Sequence, residues 1–540
     1  MNGPTDTDWF VGTGSLVAST LQMQAGSISN TATATNNSIH LDILNAEDDA
    51  SVIASPALED NAIAASVTGN SSNSTINVLA GGAATLAGTA VVTNGQLNGQ
   101  FTVPLDASAN IAASNGNSTI IATIAADGDS TSDDAELQGS LSVTGNAITA
   151  SASGNRSLGD TPGQAGNRIL LADGASFEGS EYTGDHGTDI AYTSGVLLTT
   201  VNGDLAINNS QANLSSANAN RLTIAGSADD GEIAAVVDDI NGGAVAVSNN
   251  EISGTANGNT ASSALAGGEN MASFAGSAAL SNQQVNFYTN VSAEGTGNID
   301  ARVSDDDEVS ESTVSVDRNR VAATAYGNSA SQSLALDAVT QTLPLADVVL
   351  SGGTGGIYND GNVHSDGSIT VTNLQANYSS DVDAREVHEI YAVVGGDGVT
   401  ESTIGVNRNV AEAIAVGISG ANSLALSGTT VGGGAGIVSV QINDDEDGDD
   451  LDDTDVTASS TGYTHLDTDA SVQASTLELS GNMQRAIAYG GSAGNTLAVS
   501  AETITVGGLV DNIASSVSYD GGADDGLALT FEQQPEVTAA

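Results

Sequence analysis

Cysteine and lysine are both missing from this chain of 540 residues. Without Cys there is no disulfide framework, and a structural zinc site built on thiolates is excluded. Without Lys no Walker-type phosphate loop is possible. The nine basic groups are all Arg, against 66 Asp and Glu, for a formal net charge of −57. No more than two of those Arg fall close together, so a nucleic acid or an anionic membrane surface is not an expected partner. Aromatic residues make up only 3% of the chain, with a single Trp, Trp9, and charged residues only 14%. A large Phe/Leu core of the kind found in compact enzymes is therefore not expected. Six Pro rule out a polyproline rod, and no apolar run approaches the roughly 20 residues of a membrane span. The first twenty residues carry Asp6 and Asp8 but no basic group, and do not read as a signal peptide.

What remains is Gly, Ala, Ser, Thr and Asn, with 39% hydrophobic residues and a mean hydropathy near zero. That is too apolar for a disordered polyanion. It suits a thin, repetitive core of small and β-branched side chains.

A repeat is visible without gaps. Val314, Val316, Asn319, Ala323, Ala325, Gly327, Leu334 and Leu336 superpose on Ile404, Val406, Asn409, Ala413, Ala415, Gly417, Leu424 and Leu426. They superpose again on Leu477, Leu479, Asn482, Ala486, Ala488, Gly490, Leu497 and Val499. Partial copies occur around Asn61, Asn146 and Asn250, with weaker echoes near Leu205 and Ile369. Apolar residues at every second position predict strands with one buried face. Asn319 and Gly327-Asn328 read as corners, being residue types that tolerate positive φ. Each unit of about 23 residues thus reads as three short strands, one coil of a solenoid.

The expected fold is all-β: an elongated, repetitive, parallel β-helix-like solenoid, with tandem β-sandwiches as the alternative. Residues 1–55 form an N-terminal region or cap, 56–500 an irregular repeat array with best units 314–336, 404–426 and 477–499, and 501–540 a C-terminal strand region and tail. Equivalent positions 58, 143, 247, 316, 406 and 479 are separated by 85, 104, 69, 90 and 73 residues. With a 23-residue coil each interval holds three or four coils, which predicts some twenty coils and a rod on the order of 100 Å.

The densest acidic segment, 443–455, has nine carboxylates in thirteen residues. Asn443, Asp445, Asp447 and Gly448 follow the start of a calcium loop, in which alternate side chains converge on a hard cation. Thr454 stands where a closing Glu is usual, so Asp452 or Asp453 is the candidate closing ligand for Ca2+; the alternative is a solvated acidic loop. Asp127, Asp129, Asp133 and Asp134, and Asp305–Glu308, are weaker versions. The five His show no pairing at metal-ligand spacing, and Glu386-Val-His388 reads as a surface pair rather than a catalytic dyad. Arg318, Arg320, Arg408 and Arg485 stand beside the Asn corners. They read as bridges between carboxylates of neighbouring coils, with an anionic sugar as the alternative ligand.

The unit Asn-x-x-x-Ala-x-Ala-x-Gly followed by Ser-Leu-Ala-Leu, at Asn319–Leu336 and Asn409–Leu426, resembles repeats of secreted β-strand-rich surface proteins of alphaproteobacteria, among them the holdfast-anchoring proteins of stalked bacteria. The resemblance covers about a third of the chain. It implies an outer-surface location and a role in attaching cell to matrix, and brings no site residues with it. The expected function is an extracellular structural or adhesive protein whose partners are itself, surface proteins or extracellular polysaccharide. A carbohydrate-active β-helix enzyme and a halophilic calcium-binding surface protein are the alternatives. The scarcity of aromatic platforms argues against the enzyme.

Overall fold

The computed structural model describes residues 9–25, 28–45, 51–78, 84–99, 110–126, 136–159, 161, 164–179, 187–193, 196–202, 204–215, 221–268, 270–304, 308–342, 350–351, 363–366, 369–444, 454–468, 471–513 and 536–539. Their regular structure is strand, and it winds as a parallel solenoid. The solenoid expectation holds, but the size of a turn does not. Val143 lies beside Val247, Val247 beside Val316, Val316 beside Val406, and Val406 beside Leu479. Each interval between repeat copies is therefore one whole turn, not several. One column, Leu16, Ala90, Leu205, Ala278, Ile369, Ala435 and Gly508, runs the length of the molecule and counts six full turns. Seven rungs at about 4.8 Å give an axis of only about 30 Å, so the turns are wide and few.

A turn has four main walls. A short wall, such as Thr313–Asp317, leads through a corner into a long wall, Arg320–Thr342. The chain then doubles back along a return wall, Ile369–Tyr378, and passes into a back wall, Val382–Val394. A three-residue strand, Gly398–Thr400, leads to the next short wall. The spiral begins in Trp9–Ala25, at the return-wall position, and extends to Ile513. Two inserted hairpins, from Gly187–Asn202 and Leu350–Asp366, join in a four-stranded antiparallel sheet. It packs on the outer side of the return wall. Both faces of Ala278–Phe287 and Ile369–Tyr378 are accordingly buried.

The corner between short and long walls has a division of labour that the repeat pattern did not show. Positive φ falls on the residue before the repeated Asn: Asp60, Gly145, Asn249, Arg318, Arg408 and Gly481, with φ from 54° to 70°. The Asn itself stacks. Asn61, Asn146, Asn250, Asn319 and Asn409 each give a side-chain N–H to the Oδ1 of the next, at 3.0–3.1 Å, and the stack ends at Asn482. The repeated glycines Gly69, Gly154, Gly258, Gly327, Gly417 and Gly490 do not adopt positive φ either. Their reason is space, since a Cβ on any of the first five would strike the carbonyl oxygen of the glycine one turn on.

The interior holds two apolar compartments with a polar belt between them. Ile, Val and Ala from the short wall, the back wall and the start of the long wall fill the first. Leu334 and Leu336 of the long wall face Ile369 and Val371 of the return wall in the second. Between them the return wall turns Asn373, Gln375 and Asn377 inward, and the same pattern recurs as Asn94-Gln96-Asn98, Asn209-Gln211-Asn213 and Asn282-Gln284-Asn286. Gln96, Gln211, Gln284 and Gln375 each donate to the Gln one turn earlier, at 3.1, 2.6, 2.8 and 2.8 Å. Asn98, Asn213, Asn286 and Asn377 donate the other way, at 2.8–2.9 Å. Their second N–H groups satisfy the carbonyls of the glycine column at 2.9–3.0 Å. Buried amides are tolerated here because nearly every donor and acceptor is matched by the turn spacing.

Candidate functional site

Of the calcium-loop residues, Asn443 is described, and Asp445, Asp447, Asp452 and Asp453 lie outside the described residues. Asn443 ends the return-wall ladder. Its Oδ1 accepts from Asn377 Nδ2 at 2.8 Å and its Nδ2 donates to Gly490 O at 2.7 Å. The Asp127–Asp134 group also lies outside the described residues, as do Asp305, Asp306 and Asp307. Among the described residues of one chain, no three metal-binding side chains cluster.

Glu386 and His388 share one strand face, as their spacing implied, but that face is the interior one. Both side chains are fully buried, with Glu386 Oε1 2.9 Å from His388 Nδ1. The surface-pair expectation is therefore corrected. Gly295 and Gly297 stand beside them one turn earlier, and Ser460 Oγ donates to Glu386 Oε2 at 2.5 Å from the turn beyond. Outside the pair, neither imidazole nitrogen has a hydrogen-bond partner among the described residues. With no exposure to solvent, the pair is not placed to meet a substrate.

The outer face of the back wall gathers the most chemistry. Asp300 is wholly buried there beneath Arg302, whose Nε stands 2.7 Å from Asp300 Oδ2 and whose NH2 stands 2.5 Å from Glu232 Oε1. Burial pushes the Asp300 carboxyl up to about 7 despite the pull of Arg302. Arg302 also donates to Tyr391 OH at 3.1 Å. The Tyr391 ring stacks on His465, with centroids 5.0 Å apart, and Tyr463 leans on the same imidazole at 4.8 Å. Composition did not reveal this group, because its members come from four different turns. Asp300 titrates near neutrality, yet it is covered on all sides, so the cluster binds strand to strand rather than exposing an acid.

Of the four arginines beside the corners, Arg320, Arg408 and Arg485 bridge turns, as expected, whereas Arg318 pairs with Asp317 of its own turn. Arg320 pairs with Glu251 one turn earlier and with Glu412 one turn later, and Arg485 also pairs with Glu412. Arg408 grips Asp317 with Nε and NH2, both at 2.8 Å. Burial raises the Glu412 carboxyl, but its two guanidinium partners outweigh this and hold it below the usual range. No family model, no curated protein and no solved structure matches the chain.

Proposed function

We propose that the chain is an extracellular structural or adhesive protein of a bacterial outer surface or matrix, a β-solenoid scaffold that assembles with copies of itself. The observation that carries this reading is the state of the two ends. The first turn, Trp9 to Val78, and the last, Val456 to Ile513, each offer a ring of strand edges. Among the described residues only Glu536–Ala539 pairs on either ring, at Ile504–Gly507. Side chains of the last turn that point along apolar columns are open: Leu477 is 42% and Leu479 55% exposed. Unpaired parallel edges over an apolar interior are templates for further strands. An interior filled by amide ladders and apolar packing favours a scaffold over a reaction centre.

Negative-stain electron microscopy and sedimentation across a salt and divalent-ion series test this. Stacks or fibres that lengthen as charge is screened are the expected result. Particles that stay single at every concentration and salt overturn it.

A calcium role at 443–455 belongs to the same proposal in narrower form. The Asn443 carboxamide is held in the ladder, so Asp445, Asp447, Asp452 and Asp453 are the ligands we assign. For a polysaccharide partner the supporting observation is the ring group of Tyr391, Tyr463 and His465, in which Tyr463 is 49% exposed.

A further inference from the structure

We infer that Glu386 and His388 form a proton-operated clasp inside the solenoid, holding the back-wall strands Val382–Val394 and Val456–Thr468 together most tightly while the pair carries a single proton. The inference does not depend on the assembly reading, because the seam it concerns lies between two consecutive turns of one chain.

The pair is built into the first apolar compartment. Both side chains are fully buried, Glu386 Oε1 is 2.9 Å from His388 Nδ1, and Ser460 Oγ of the next turn donates to Glu386 Oε2 at 2.5 Å. Gln484 Nε2 donates to Ser460 O at 3.4 Å and ties a long-wall strand to the same place. Neighbouring turns leave room for the imidazole. His388 lies between Gly297 and Gly462 in its column, and a Cβ on Gly462 would meet His388 O at 2.0 Å. A Cβ on Gly297 would meet Ile252 Cδ1 at 2.8 Å, and the long-wall column opposite shrinks from Ile252 to Val321 to Ala411 towards the turn that holds His388.

Among the described residues no other ionisable group faces the pair. The strands beside it, Thr289–Val303 and Val456–Thr468, alternate so that their inward residues are Val, Ala, Gly, Ile, Leu, Ser and Thr. Across the compartment the long-wall strands turn Val, Ala and Gln484 inward, and the short walls Val and Ile. Asp383, Arg385, Glu389 and Tyr391 on the pair's own strand, Glu294, Asp300 and Arg302 on one side, and Tyr463, His465 and Asp467 on the other occupy the alternate, outer positions.

Net charge in such a site is costly. One proton shared by the carboxyl and the imidazole leaves the pair neutral. A second leaves an imidazolium without a counter-ion, and none leaves a bare carboxylate. Once the seam opens to water, a Glu and a His titrate at about 4.3 and about 6.5. Below about pH 4 the open seam therefore holds two protons against one when closed, and closure strengthens as pH rises. Above about pH 6.5 the open seam holds none, and closure weakens as pH rises, by about tenfold per pH unit. Opening bares the edge of Val382–Val394, a template for another strand.

The test is hydrogen exchange of the full chain followed by mass spectrometry between pH 4 and 9, corrected for intrinsic rates. Peptides covering 456–468 are compared with 222–237 as control. Wild type is set against the neutral variant Glu386→Gln with His388→Gln, and against Glu386→Gly with His388→Gly, which copies the preceding turn. Circular dichroism shows which variants are folded, and either one suffices. The wild-type to variant ratio of protection at 456–468 should be highest between about pH 4.5 and 6.5 and fall about tenfold from pH 6.5 to 7.5, with no such change at 222–237. Taking this ratio removes the contribution of Asp300, which all three chains share. A ratio that stays constant with pH overturns the clasp, as does a fall of equal size at 222–237. Loss of the seam at neutral pH with single particles throughout would support the clasp and leave only the assembly reading overturned.

Discussion

Replacing Asn286 by Ala should remove one link from the middle of the polar belt, and the structure sets the cost. The Asn286 carboxamide donates to Gly327 O and to Asn377 Oδ1, each at 2.9 Å, and accepts from Asn213 at 2.9 Å and Asn259 at 3.0 Å. Its neighbours keep other partners. Asn213 still reaches Gly258 O, and Asn377 still receives Asn328. Gly327 O, however, loses this donor inside a site that water cannot enter, at about 1–3 kcal/mol, and the lost side chain leaves a void worth about 1 kcal/mol more. The expected loss is about 2–4 kcal/mol. Asn443→Ala at the end of the same ladder is the control, since water reaches that site and its cost should be below about 1 kcal/mol. Urea unfolding followed by circular dichroism, with the slope checked for constancy, measures both. Equal losses at the two positions would refute the claim that the ladder is stabilising because it is buried and continuous.

Other outcomes follow from single residues. Asp300 has a folded pKa of about 7, above its value of about 4 in an unfolded chain. Its contribution is therefore fully present below about pH 4 and is lost as pH rises through about 7, by up to about 4 kcal/mol. Asp300→Asn should flatten that part of a stability–pH curve, and an unchanged curve contradicts the assignment. Arg318 holds φ at 56° with only an exposed pair to Asp317. Arg318→Gly should raise the unfolding midpoint by about 1 kcal/mol equivalent, and a fall would show that the pair outweighs the strain. Gly295→Ala places a Cβ against the Ala322 carbonyl where the back and long walls touch, and should lower the thermal midpoint by several degrees; no shift would mean the walls can part there. Calorimetric titration with Ca2+ should show binding that disappears when Asp445, Asp447, Asp452 and Asp453 are changed to Asn. Binding that survives would place the ion elsewhere.

The repeated strands could be read from sequence because their inward residues are apolar. Val314, Val316, Leu334 and Leu336 alternate cleanly, and the structure buries all four. The turn size could not be read the same way. The strands that close each turn put Asn and Gln inward, as in Asn373-x-Gln375-x-Asn377, and hydrophobic periodicity treats such a face as solvent. The motif Asn-x-Gln-x-Asn, four times in the chain, was the available signal. Glu386 and His388 misled for the same reason, because polarity implies exposure only where no neighbouring turn supplies room. Asn319 looked like the strained corner residue, whereas the strain sits on Arg318 and the amide serves the stack.

The central claim is that one repeat interval makes one turn, and a chain without Cys allows a direct test. Ala246 and Ser315 lie side by side on the outer face of adjacent short-wall strands although 69 residues separate them, while Glu478 stands two turns from Ser315. Introduced as cysteines, the pair 246/315 should form a disulfide rapidly under mild oxidation and the pair 315/478 should not, with neighbouring strands about 4.8 Å apart and second neighbours about 10 Å. Failure of the first pair, or equal cross-linking of both, would contradict the wide-turn solenoid.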